Sequence, residues 1–135
     1  MVAGVLETAL YVADIARATE FYQSLFGFPR LGGDARFTAL EVPGRQVLLL
    51  FRRGESTESI RLPGGAIPPH DGAGQLHFAL AIPELELEGW EARLASRGIT
   101  IESRVHWPRG GTSIYFRDPD GHLVELATPG LWWPK

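Results

Sequence analysis

The sequence predicts an α+β fold made of two tandem βαβββ modules, and three observations predict it. The chain reads itself twice: Glu7-Thr8-Ala9-Leu10-Tyr11-Val12 leads into a helical pattern, and His77-Phe78-Ala79-Leu80-Ala81-Ile82 does so again at an offset of 70. In each half the apolar residues pass from strand-like alternation to helical spacing and back, in the same order. The glycines keep step, with Gly27 matching Gly98 at an offset of 71 and Gly44 matching Gly121 at 77. Each module then has one apolar sheet face to cover, so neither is expected to be stable alone.

The elements follow in chain order. Residues 5–12 read as a strand. Asp14 is placed to cap a helix whose face is Ile15, Ala18, Tyr22, Leu25 and Phe26, and Gly27 stops it. Strands over 36–42 and 46–52 flank the turn Pro43-Gly44. The stretch 53–73, rich in Gly, Pro and Ser, reads as a linker or lid after a first module of about 4–52. The second module, about 74–128, opens with a strand over 75–82. Pro83 and Glu84 start a helix faced by Leu87, Trp90 and Leu94, and Gly98 ends it. Strands over 99–105, 112–117 and 122–128 complete it, and a tail covers 129–135. The growing offset locates about six extra residues in the second module, most naturally in the loop 104–111.

Bulk properties narrow the function. The chain has 135 residues, 44% hydrophobic and 21% charged, which suits one globular domain. A net charge of −3 leaves no basic stripe for phosphates, so nucleic acid is not an expected partner. With no cysteine there are no disulfides, thiolate nucleophiles or thiolate metal sites. No apolar run approaches a membrane span, and no basic segment precedes the apolar N-terminus, so a cytoplasmic protein that neither enters nor crosses a membrane is expected.

Three polar residues stand where half-buried strands favour apolar ones: Glu7, His77 and Glu125, the last within Leu123-Val124-Glu125-Leu126-Ala127. Burying such groups is costly unless something compensates them, and a divalent cation does so economically. Alternation puts Ala9 on the face of Glu7, Ala79 on that of His77 and Ala127 on that of Glu125, which leaves room beside each. The plain alternatives are a hydrogen-bonded structural histidine at 77 and a surface carboxylate at 7. The pairing of Glu7 with His77 across the repeat favours ligands. An N and O donor set of this kind suits Mn, Fe(II), Ni, Zn or Mg. Tyr115 and Arg117, one strand from Glu125, and Trp107 and Arg109, in the inserted loop, are candidate substrate-binding residues. His70 reads as a linker residue and His122, after the turn Asp120-Gly121, as structural. Trp132 and Trp133 read as anchors of the tail on a subunit surface, with the lining of a substrate groove as the alternative.

Several segments resemble the vicinal oxygen chelate superfamily of glyoxalases, bleomycin-resistance proteins, extradiol dioxygenases and fosfomycin-modifying thiol transferases. They are Leu10-Tyr11-Val12-Ala13-Asp14, Phe21-Tyr22, Leu25-Phe26-Gly27-Phe28, Gly74-Gln75-Leu76-His77-Phe78-Ala79-Leu80 and, most specific, 114–126 with Arg117-Asp118-Pro119-Asp120-Gly121-His122. The resemblance implies that the modules curl into a cup-shaped mixed sheet around a metal ion, with ligands at Glu7, His77 and Glu125. It also implies a two-fold dimer, a small oxygenated substrate chelated through adjacent oxygens, and lyase, isomerase or thiol-transfer chemistry in which Glu7 and Glu125 are the catalytic candidates. Departures bear on the choice. Lactoylglutathione lyases resembling this chain carry a second last-strand glutamate, and its counterpart by glycine spacing is Leu48. Extradiol dioxygenases and fosfomycin-modifying enzymes have a histidine where this chain has Glu7. A metal-free, drug-sequestering protein of the bleomycin-resistance type is the rival reading, and an extradiol dioxygenase-like oxidoreductase a further one.

Overall fold

Period-two alternation in the first strand buries Leu10 and Val12 and leaves Glu7 and Ala9 exposed, so one face of β1 (Glu7–Val12) packs inward. The computed structural model describes residues 1–135, and the chain divides into two compact units, Met1–Gly74 and Gln75–Lys135. After β1 come α1 (Ile15–Phe26), β2 (Arg30–Gly33), β3 (Phe37–Val42), β4 (Gln46–Arg52), β5 (Ile60–Leu62) and β6 (Gly65–Ile67). The Asp14 carboxylate caps α1 by accepting from the Arg17 amide at 3.0 Å, and the Gly27 amide closes it on the Gln23 carbonyl at 2.8 Å. Ala18, Tyr22 and Leu25 bury the inner stripe of α1, which packs on β3 and β4. Against them lie Leu10, Leu40, Leu48 and Leu50, none more than 1% exposed. Full burial of each such side chain is worth about 1.5–3 kcal/mol.

The sheet order is β1-β4-β3-β2, with β1 parallel to β4 and the other pairs antiparallel. A parallel neighbour needs a crossover, and α1 with β2 and β3 provides it.

The second unit repeats this: β7 (His77–Ala81), a 3-10 turn over Glu84–Glu86, α2 (Leu87–Ser96), β8 (Ser103–His106), β9 (Thr112–Arg117) and β10 (Leu123–Ala127). Its sheet order is β7-β10-β9-β8, with β7 parallel to β10. Leu94, Ile114, Phe116, Val124 and Leu126 form the core. The fold is therefore the expected α+β architecture of two βαβββ repeats, each with a four-stranded sheet.

Some boundaries differ from expectation for identifiable reasons. β1 starts at Glu7, since Val5 and Leu6 remain exposed. β2 carries the sequence Arg-Leu-Gly-Gly, which has no strand signature of its own. β8 begins at Ser103 rather than 99 because the Ile99 amide turns back to the Leu94 carbonyl at 2.9 Å to close α2. The stretch read as a linker contains the β5–β6 hairpin and belongs to the first unit. The extra residues are located by register: twelve positions separate Ser103 from its neighbour-strand partner Tyr115, where seven separate Gly32 from Ala39. The β8–β9 hairpin is thus five residues longer than its counterpart.

Candidate metal centre

In the second unit, parallel pairing sets His77 opposite Leu123 and Ala79 opposite Glu125. Antiparallel pairing sets Tyr115 opposite Glu125 from the other side. His77 Nδ1 lies 2.9 Å from the Leu123 carbonyl oxygen. A carbonyl only accepts, so Nδ1 carries the proton and donates. Nε2 is left 3.3 Å from Glu125 Oε1. In the neutral ring a lone pair then faces a carboxylate oxygen, two acceptors with no donor between them. A proton on Nε2 or a cation shared by both atoms resolves the conflict. The separation suits two ligands of one ion at bond lengths of about 2.1 Å, and the Nδ1–H bond to a backbone carbonyl is the usual support of a ligating imidazole.

Glu125 is only 5% exposed and its second oxygen is also held. Oε2 accepts from the Ser113 hydroxyl at 2.5 Å, and Ser113 Oγ in turn accepts from the Trp107 indole N–H at 2.9 Å. The Tyr115 phenol is pushed above its ordinary pKa, first by burial and then by the Glu125 charge, so it stays protonated at neutral pH. A pocket of about 560 Å³ opens over this group, lined among others by His77, Trp107, Arg109, Tyr115, Glu125 and Trp132.

Glu7 begins β1 in the first unit, where it is exposed and lines a different pocket, of about 490 Å³, with Ala9, Leu49 and Phe51. The chain gathers no group of three or more His, Cys, Asp or Glu side chains that could hold a metal ion. What it assembles is the His77–Glu125 pair. Of the four residues considered for substrate, Trp107, Arg109 and Tyr115 line the pocket with that pair. Arg117 does not; its guanidinium is engaged by Glu102 at 2.8 Å and the Gly121 carbonyl at 3.1 Å. His106 sits at the end of β8, 3.2 Å from the Thr112 hydroxyl.

Register corrects one assignment. Ala9 pairs with Leu49 as Ala79 pairs with Glu125, so the first-unit counterpart of Glu125 is Leu49 rather than Leu48. Leu48 is core, 1% exposed, while Leu49 lines the pocket beside Glu7. The glycine offset misled by one because the β3–β4 and β9–β10 hairpins are equal in register while their glycines are not equivalent: Ala39 pairs with Leu49 and Tyr115 with Glu125, and Gly44 stands one position earlier in its turn than Gly121. Neither leucine can bind a metal.

His122 is fully buried; its Nδ1 accepts from the Leu76 amide at 2.9 Å, and its own amide donates to Asp118 at 2.9 Å. That structural role is the expected one, and it braces the residue preceding His77. Two participants escaped the sequence reading. Ser113 shares the face of Tyr115 by alternation along β9, a signal that was available. His70 is held beside Tyr11, a contact no local pattern encodes.

No helix is long and apolar enough to cross a membrane. A match to the Glyoxalase/Bleomycin resistance protein/Dioxygenase superfamily spans residues 4–126, and the chain belongs to that superfamily. Among solved structures, the lactoylglutathione lyase from Agrobacterium tumefaciens superposes with a TM-score of 0.86 at 35% identity, over 96% of each chain. The metallothiol transferase FosB of Shouchella clausii is 28% identical over 133 residues, 97% of this chain and 84% of that protein. The glutathione transferase FosA of Serratia marcescens is 36% identical over 68 residues, 48% of this chain and 44% of that protein. All three relatives are enzymes.

Proposed function

We propose that the protein is a divalent-metal-dependent enzyme that takes a small oxygenated substrate through two adjacent oxygens and performs lyase, isomerase or thiol-transfer chemistry. The observation that carries this reading is the pair of acceptor atoms, His77 Nε2 and Glu125 Oε1, turned on each other at 3.3 Å. His77 and Glu125 hold the ion, and Glu7 is the third ligand or, when displaced, a general base. When bound, the ion supplies Lewis-acid polarisation of the substrate's oxygens. Ser113 and Trp107 fix the Glu125 carboxylate, Tyr115 offers a protonated phenol at the pocket wall, and Arg109 adds positive charge there. Leu49 removes the second last-strand carboxylate, so the reaction proceeds without a base at that position. The names of the relatives, a metallothiol transferase, a glutathione transferase and a lactoylglutathione lyase, support this range of chemistry. A homodimer is part of the reading, supported by the tail's exposed tryptophans, Trp132 at 71% and Trp133 at 77%.

The test is metal content and metal-binding calorimetry on wild type, His77→Ala, Glu125→Ala and Glu7→Gln, followed by turnover of 2-oxoaldehyde–thiol adducts, fosfomycin and catechols with each metal. Stoichiometric uptake lost in the variants supports the reading. Wild type that takes up no divalent ion returns the metal-free binder. Mixing Glu7→Gln chains with His77→Ala chains then asks where the third ligand originates, because binding returns only if a site is shared between two copies.

A further inference from the structure

The Pro68-Pro69-His70-Asp71-Gly72 segment looks like connecting chain in the sequence, yet four separate contacts fasten it within the first unit. The His70 amide donates to the Ser56 carbonyl at 2.9 Å. The Gly54 amide donates to the Asp71 carboxylate at 3.3 Å. Gly72 lies flat on the Tyr11 ring, where a Cβ would stand 2.3 Å from a ring carbon. The Tyr11 hydroxyl lies 2.7 Å from His70 Nδ1. Tyr11 holds its proton firmly, because burial and then the Asp71 charge push its pKa up. A protonated phenol can donate to Nδ1 or accept from it; in the donating arrangement Nδ1 is the acceptor and Nε2 carries the hydrogen. Nε2 has no hydrogen-bond partner in the chain.

The ring so fixed is one wall of the 490 Å³ pocket that also holds Glu7. The other walls include Phe37, Leu49, Phe51, Ile60 and Ile67, the last two from the β5–β6 hairpin. Phe51 lies edge-on to His70 at 4.6 Å and beside Phe37 at 5.8 Å. Two charged side chains, Glu7 and Arg36, also line the pocket, the Arg36 guanidinium paired with Asp34 at 3.2 Å. A cavity of this size with mostly apolar walls and a few polar groups has the character of a small-molecule site.

We propose that His70, oriented by Tyr11, is a recognition residue. Its Nε2–H donates to a carbonyl or hydroxyl oxygen of a compound whose aromatic or bulky apolar body packs on Phe37, Phe51 and the hairpin. This goes beyond the reading above by naming a ligand class for the pocket that holds Glu7, an arylated or bulky oxygenated molecule. Its test does not need the metal.

The experiment uses metal-free full-length protein with chelator present and three neutral probes: acetophenone, ethylbenzene, which keeps the ring without the oxygen, and butanone, which keeps the oxygen without the ring. Wild type is expected to bind acetophenone roughly five-fold more tightly than ethylbenzene, the yield of one neutral hydrogen bond, and more tightly than butanone. Nitrogen-15 NMR is expected to show His70 protonated at Nε2, with that resonance moving on acetophenone addition. His70→Phe should bind both aromatic probes equally, and Tyr11→Phe should reduce the preference while leaving ethylbenzene binding intact. The proposal is overturned if wild type binds no acetophenone at millimolar concentration, if His70→Phe keeps the preference, or if Nε2 is unprotonated. Loss of metal uptake in the His77 and Glu125 variants reports only on the metal reading, so the two can fail separately.

Discussion

Ser113 and Glu125 are joined by a 2.5 Å hydrogen bond in the buried part of the second sheet, the serine hydroxyl donating to the carboxylate. Ser113 is fully buried, and the Trp107 indole donates to it from the long β8–β9 hairpin. The carboxylate's inner oxygen is thereby anchored and its outer oxygen kept at His77. Removing the hydroxyl leaves a buried carboxylate oxygen and an indole N–H without their partner. Ser113→Ala is expected to weaken divalent-metal binding by about 10–100-fold, as loss of an outer-sphere partner does, with Ser113→Thr restoring most of it. Calorimetry measures this. Equal affinity in wild type and Ser113→Ala would show that the hydroxyl does not position Glu125.

Metal addition should stabilise the wild type. A ligand that binds only the folded state at a hundred times its Kd adds about 2.7 kcal/mol. His77→Ala removes the imidazole, whose ring is half exposed, and should leave the metal-free melting temperature within a few degrees of wild type. The same variant should show no metal-induced rise. Thermal melts with and without Mn, Ni and Zn check both halves of the expectation.

Tyr115 makes the alkaline limb of stability informative. Its folded pKa is raised above the ordinary 10.0 by burial and by Glu125, so the folded state favours the protonated phenol. A raised pKa contributes stability that is complete below the unfolded value and disappears as pH rises through the folded one. Wild type should therefore lose stability from about pH 10 upward, and Tyr115→Phe should lose less over the same range. Denaturant melts at pH 9, 10 and 11, with phenolate absorbance followed in parallel, give the comparison. Identical slopes in the two proteins would discount the raised Tyr115 pKa, whose first cause is burial and second the Glu125 charge.

The sequence made the architecture legible because the repeat is written in polar landmarks as well as in apolar periodicity. Asp14, Gly27 and the stripe Ala18, Tyr22, Leu25 each carry a local physical reason, and each holds its expected place. His77 and Glu125 were legible, with Glu7, as one ligand set from strand alternation, and the pairing of β7 with β10 brings the first two together. The 3.3 Å approach of His77 Nε2 to Glu125 Oε1 was not legible, since it depends on the Leu123 carbonyl holding the ring through Nδ1 across the strand pair. Leu49 was misread as Leu48 because glycine spacing measures turns, whereas hydrogen-bond register measures strands. Arg117 showed only its charge, and its ion pair with Glu102 joins residues fifteen apart. His70 was hidden most completely: its meaning lies in a contact with Tyr11, fifty-nine residues away.

The turn Asp118-Pro119-Asp120-Gly121 links stability to the site. One Asp118 carboxylate oxygen accepts from the Asp120 and His122 amides, both at 2.9 Å. His122 then receives the Leu76 amide at the entrance to β7. Asp118→Ala strands these donors, one of them buried, and is expected to cost about 1–3 kcal/mol. Asp118→Asn keeps one acceptor oxygen and should cost less. If the turn also sets the position of β7, then metal affinity should fall in Asp118→Ala even at temperatures where the variant is fully folded. Denaturant melts give the first quantity and calorimetry on folded protein the second. A stability loss with unchanged affinity would confine the turn to folding and leave the placement of His77 to its bond with the Leu123 carbonyl.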